Sequence, residues 1–131
     1  TAVEFAFEAI AFAVDAGYTT YLVSKCGEEV QRKTLLWLAH HKFYDRTGVL
    51  PERVRFCRTR PEKGAICDEL EVTHFVDDRL EVLSYLVNVP NLYLFDGQPK
   101  EMRKFADILC KVHQTGSWSE LSDLLGRSSV A

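Results

Sequence analysis

Thr73-His74-Phe75-Val76-Asp77-Asp78-Arg79 is the stretch whose reading decides the fold. A short run of β character stops at two adjacent carboxylates, and Leu80-Glu81-Val82-Leu83-Ser84-Tyr85-Leu86 follows with helical spacing. In an open α/β sheet, ligands collect outside the carboxyl ends of the strands. Two Asp residues there put hard oxygen donors where a cation such as Mg²⁺ can sit. The plainer reading makes Asp77 or Asp78 the cap of the following helix, a task Asp performs well.

Working outward, helical and strand patterns alternate. Residues 2–16 are alanine-rich, with Glu4, Glu8 and Asp15 on one narrow stripe, which predicts a nearly buried helix closed by Gly17. Its aromatic residues Phe5, Phe7 and Phe12 are expected in the core. Tyr18-Thr19-Thr20-Tyr21-Leu22-Val23-Ser24 reads as a strand. Glu28 to His41 reads as a helix, Thr47 to Pro51 as a turn, and Arg53 to Cys57 as a strand. Lys63 to Leu70 is a short helix, Val72 to Val76 a strand, Leu80 to Val87 a helix and Asn91 to Phe95 a strand. Asp96-Gly97 reads as a turn, Lys100 to Val112 as a long helix and Trp118 to Leu125 as a short one, with residues 126–131 a frayed tail. The alternation predicts an α/β domain over residues 1–125, built on one mostly parallel sheet covered on both faces. Polar groups then gather at one sheet edge: Ser24, the Arg58/Arg60/Lys63 neighbourhood, and Asp77-Asp78.

Composition sets the outer bounds. At 131 residues the chain is most simply one domain. A formal charge of -3 gives no electrostatic case for nucleic acid or an anionic membrane surface. Cys26, Cys57, Cys67 and Cys110 show no Cys-x-x-Cys spacing, and His40, His41, His74 and His113 no zinc-ligand pattern. The cysteines are expected as buried free thiols in a reduced, cytoplasmic protein. Neither a secretory leader nor a membrane-spanning apolar run is visible. Trp37 and Trp118 are expected in the core, and His74 as a satisfied residue within its strand.

A strand ending in Ser, a Lys at a helix start and a strand ending in Asp-Asp occur here in that order. The set resembles the second, third and fourth motifs of the haloacid dehalogenase-like (HAD) phosphohydrolase superfamily, over residues 1 to about 96. The resemblance implies a Rossmann-like three-layer sandwich, Mg²⁺ and a small phosphorylated substrate. Ser24, in Thr20-Tyr21-Leu22-Val23-Ser24, would hydrogen-bond the transferring phosphoryl group. Lys63, in Arg60-Pro61-Glu62-Lys63-Gly64, would offset charge, and Asp77 and Asp78 would hold the metal. Phosphoryl transfer is mostly positioning and charge neutralisation, which suits these residue types.

The family's first motif, an Asp-x-Asp supplying the nucleophile and a general acid/base, occurs nowhere in the sequence. No strand pattern precedes the first helix and the chain opens on Thr1, so a nucleophile strand is expected to be missing from it. The alternative is a non-catalytic binding or scaffold domain, in which Ser24, Lys63, Asp77 and Asp78 are caps and solvated charges. There the arginines at 53, 55, 58 and 60 are a solvated face or meet an acidic partner. A third reading takes Cys26-Gly27-Glu28-Glu29-Val30-Gln31-Arg32 as the Cys-x5-Arg loop of a cysteine-dependent phosphatase, with Cys26 as nucleophile and Arg32 on the phosphate. Glu28 and Glu29 would then stand in the phosphate cradle, where like charge repels.

Overall fold

Helices and strands alternate as the patterning predicts, but the strands form two small sheets. The structure is a computed structural model that describes residues 2–130. It divides into two units, Thr1–Arg58 with Trp118–Ala131, and Thr59–Ser117.

The first unit contains α1 (Ala2–Asp15), β1 (Leu22–Lys25), α2 (Glu28–His40), α3 (Phe43–Thr47), a single 3₁₀ turn at Pro51–Arg53, and β2 (Val54–Cys57). β1 and β2 run parallel, with Leu22 opposite Val54 and Ser24 opposite Phe56. Parallel neighbours need a crossover, and α2 lies within it. The core is Phe7, Leu38, Phe43 and Val49, with Ile10, Val14, Leu22, Tyr44 and Val54 packed around it. Phe7 meets Phe43 edge-on at 5.3 Å between ring centroids. α3 was not visible in the sequence, where its span bordered a predicted turn. It closes on Gly48, whose φ of +84° suits glycine, and a Cβ there would lie 3.1 Å from Val14 Cγ1.

α1 is less buried than its composition predicts. Phe7, Ala9 and Ala13 are in the core, whereas Phe5 is 57% exposed and Phe12 40%. A helix apolar around most of its circumference has more such surface than α3 and the C-terminal helix α8 (Trp118–Val130) can cover. Trp37 is likewise surface, 42% exposed, with its ring edge-on to Phe7. α8 continues to Val130, past the end at Leu125 that the pattern suggested. Tyr18 Oη donates to the Leu125 carbonyl at 2.7 Å, tying the segment after α1 to this helix.

The second unit contains α4 (Glu62–Leu70), β3 (His74–Asp77), α5 (Leu80–Ser84), β4 (Asn91–Phe95), α6 (Pro99–Lys104), α7 (Ala106–Leu109) and β5 (His113–Thr115). The sheet order is β3-β4-β5, all parallel, with Asp77 opposite Leu94 and Phe95 opposite Thr115. Leu92, Tyr93 and Leu94 of the interior strand are buried, whereas β3 is half-buried throughout. The core is Cys67, Leu80, Leu83, Leu86, Val89, Leu92 and Leu94. The predicted helix from Lys100 to Val112 is broken at Phe105 and its second piece ends at Leu109; β5 follows at His113–Thr115. Pairing with β4 and the bond from Asp96 N–H to the Thr115 carbonyl at 2.8 Å make that last segment a strand, and both are non-local.

The single sheet expected from the alternation is therefore replaced by a two-stranded and a three-stranded one. Among the described residues, β1 pairs only with β2 and β3 only with β4.

Candidate functional site

The charged side chains of the Asp77-Asp78 stretch meet in the second unit. β3 delivers Asp77 at its carboxyl end, and α4 delivers Lys63 in its first turn. Glu62 steadies that turn by accepting from the Thr59 backbone N–H at 2.8 Å and the Thr59 hydroxyl at 2.9 Å. Gly64 lets α4 close in: a Cβ there would lie 2.8 Å from the Tyr85 carbonyl oxygen.

Lys63 Nζ donates to Asp77 Oδ2 at 2.9 Å, with the two side chains 11% and 9% exposed. The other oxygen, Oδ1, accepts from the Arg79 backbone N–H at 2.9 Å. Asp77 therefore turns the chain out of β3 and holds a buried ammonium. Neither Asp caps α5, whose N-cap position is Arg79.

Asp78 is more exposed, yet its carboxyl is held above the ordinary carboxylate value. Partial burial of that carboxyl is the largest cause, followed by a hydrogen bond with Asp77 and the Asp77 charge, while a backbone bond and Arg79 oppose. Two carboxylates this close disfavour each other's ionised form, and a divalent cation relieves that repulsion.

The residues fit such an ion. An ionised carboxylate has about four lone-pair directions, and the Lys63 and Arg79 bonds leave some of those on Asp77 open. Mg²⁺ is commonly held by one or two carboxylates together with water and phosphate oxygens. Among the described residues no group of three or more His, Cys, Asp and Glu side chains could hold a metal ion. A cation at Asp77-Asp78 would take its remaining ligands from water or substrate.

The part of the site that the sequence did not reveal is Glu101 of α6. Its side chain is 9% exposed, and Oε1 accepts from Leu80 N–H at 2.7 Å. Oε2 accepts from Glu81 N–H and from Arg79 Nε, both at 3.2 Å. Burial opposes ionisation of Glu101, but the two backbone bonds and Arg79 outweigh it and hold the carboxyl below its ordinary value. Arg60 pairs with Glu81 beside it. The only local clue was a Glu in the first turn of a predicted helix, where acidic residues are unremarkable.

Ser24 lies in the first unit, half-buried within β1. The Cys26 loop is used differently from the Cys-x5-Arg reading. Arg32 is paired with Glu29 at 2.7 Å along the outside of α2, and Arg58 donates to the Cys26 carbonyl at 2.8 Å and to Gln31 Oε1 at 2.8 Å. The arginines at 53, 58 and 60 thus have local tasks, Arg53 over the Tyr21 ring among them. Of the cysteines, Cys57 and Cys67 are buried, Cys26 half-buried and Cys110 exposed, against the expectation of four buried thiols. Burial pushes the Cys67 thiol up to about 11, with Asp68 adding and Lys63 opposing, so it is an inert core residue at neutral pH. His74 stacks on Tyr93, which stacks on His113, and its Nδ1 lies 2.8 Å from the Thr73 hydroxyl.

No helix is long and apolar enough among the described residues to cross a membrane. Compared with protein-family models, with curated proteins and with solved structures, the chain matches none.

Proposed function

We propose that the chain is the α/β core of a HAD-like, Mg²⁺-dependent phosphohydrolase acting on a small phosphorylated substrate. The observation that carries this reading is the buried Lys63 ammonium, 2.9 Å from Asp77 at the carboxyl end of a parallel strand, with the like charge of Asp78 beside it. A buried ion pair is weak support for stability, because desolvation offsets most of its attraction. Keeping one at a strand end next to a second carboxylate is better accounted for by chemistry.

In this reading Asp77 and Asp78 hold Mg²⁺, which supplies charge neutralisation for phosphoryl transfer. Lys63 is a cation already desolvated and fixed, so it adds to that neutralisation without reorganising. The sequence contains no Asp-x-Asp, so the family's nucleophile would come from a strand beyond these residues. The same absence favours a second reading, a non-catalytic domain in which the pair binds a cation and turns nothing over.

Titrating the chain with Mg²⁺, and then assaying p-nitrophenyl phosphate hydrolysis, separates the two. Saturable binding that Asp78→Asn abolishes supports the metal site, and Mg²⁺-dependent turnover supports the enzyme. Binding without turnover supports the second reading or a nucleophile supplied from elsewhere. A chain that binds no Mg²⁺ sinks both uses of the carboxylate pair.

A further inference from the structure

We infer that Glu101 is a positioning residue for the carboxylate pair: it holds the Arg79 guanidinium so that this cation does not neutralise Asp77 and Asp78 in place of a metal ion. The inference rests on the metal-binding reading above.

Arg79 follows Asp78 directly in the chain. Lys63 already takes Asp77 Oδ2. A guanidinium is permanently charged and matches carboxylate geometry, so an unrestrained Arg79 would compete with a metal ion for the oxygens that remain. Instead its Nε donates to Glu101 Oε2. Glu101 cannot follow the arginine elsewhere, because the backbone N–H groups of Leu80 and Glu81 anchor its two oxygens at 2.7 and 3.2 Å. The anchor is largely buried, at 9% exposure, while Arg79 is 40% exposed, so Glu101 is the more fixed of the two. Met102, next to Glu101 on α6, and Phe105, directly after that helix, pack on the core of the unit and fix where the carboxylate stands. Capping α5 would need no arginine. The added bond to Arg79 gives Glu101 a second consequence, acting on the carboxylates through another side chain.

The test uses the full chain and Mn²⁺ alone, with free ion followed by its EPR signal. Glu101→Gln keeps the shape and can keep the bond to Leu80, but turns an amide toward Arg79 and releases it. Mn²⁺ affinity is expected to fall about tenfold, as when other outer-shell partners of metal ligands are lost. Removing the released cation should undo this: Glu101→Gln with Arg79→Ala should bind within about twofold of Arg79→Ala alone. A merely structural cap would show the affinity loss without rescue, and that result overturns the inference. Arg79→Ala by itself provides a check that leaves the cap intact. It should change affinity no more than about twofold, whereas a gain of about tenfold would show Arg79 already leaning on the carboxylates and overturn the assignment. Wild-type chain that binds no Mn²⁺ removes the metal reading and this role together. Wild-type binding that Glu101→Gln leaves unchanged sinks the positioning role alone.

Discussion

The carboxyl ends of β1 and β3 are built in opposite ways. β3 ends in Asp77, 9% exposed at its side chain, bonded on one oxygen to Lys63 and on the other to the Arg79 backbone. β1 ends in half-buried Ser24 and exposed Lys25, and Arg58, which follows the paired strand β2, donates to the Cys26 carbonyl and Gln31. One end concentrates desolvated charge of both signs, and the other keeps its charges in solvent. Exposed pairs such as Arg32–Glu29 contribute about 0–1 kcal/mol, so their geometry says little about selection. A desolvated pair stands only where each partner answers the other. The comparison teaches that desolvated charge is concentrated in the second unit, at the end of β3.

Breaking the pair from either side should give the largest effect. Asp77→Asn leaves Lys63 buried without its counter-charge, and Lys63→Ala does the same to Asp77; each should destabilise by about 3–5 kcal/mol in denaturant unfolding. The double replacement Lys63→Met with Asp77→Leu should be near neutral in stability, because both desolvation penalties vanish, yet bind no Mg²⁺. Full stability in either single variant would show the pair to be solvated in solution. It would then resemble the β1 end.

Gly64→Ala probes how α4 carries Lys63 to Asp77. The new methyl would meet the Tyr85 carbonyl oxygen, and backbone must shift, at about 1–3 kcal/mol. A neutral result would mean that α4 sits further from α5 than 2.8 Å allows.

Asp78→Asn separates binding from stability. Removing one of two repelling carboxylates should raise Tm slightly while Mg²⁺ binding is lost, a pattern typical of groups kept for function. A lowered Tm would instead mark Asp78 as a structural residue.

Two smaller effects sharpen the contrast. His74 is held below its ordinary value of 6.5, chiefly by burial and then by His113. The unfolded chain therefore binds the proton more readily, so stability should decline as pH falls below 6.5, and His74→Gln should flatten that slope. Ser24→Ala should change stability by less than about 0.5 kcal/mol, because it takes only a hydroxyl from a half-buried position. A loss of more than about 1 kcal/mol would make Ser24 a structural residue of β1.

Much of this was legible in local sequence. The strand from Asn91 to Phe95 was read with its own bounds, since its apolar run is closed by the Asp96-Gly97 turn. The helices beginning at Ala2 and Glu28 were marked by composition and by the glycines beside them. Lys63 and the Asp77-Asp78 pair stood out because charge at a strand end or helix start is conspicuous against an apolar background. Glu101 did not, because a Glu in the first turn of a helix has an ordinary explanation and its partners lie some twenty residues away. α1 and Trp37 misled for a related reason: apolar composition says what a side chain would prefer to bury, not whether a neighbour exists to cover it.

Sequence by itself determined the alternation of helices and strands as far as Phe95, α3 excepted, together with the parallel character of the pairings and the residue types at the strand ends. These follow from propensity and periodicity, which act within a few residues. Tertiary structure alone decided that the strands divide into two sheets, that His113-Gln114-Thr115 pairs with β4 and that Lys63 reaches Asp77. It also decided that Glu101 caps a helix it is not part of. Each of those depends on hydrogen bonds and desolvation between groups distant in the chain, and their geometry is set only when the backbone has closed.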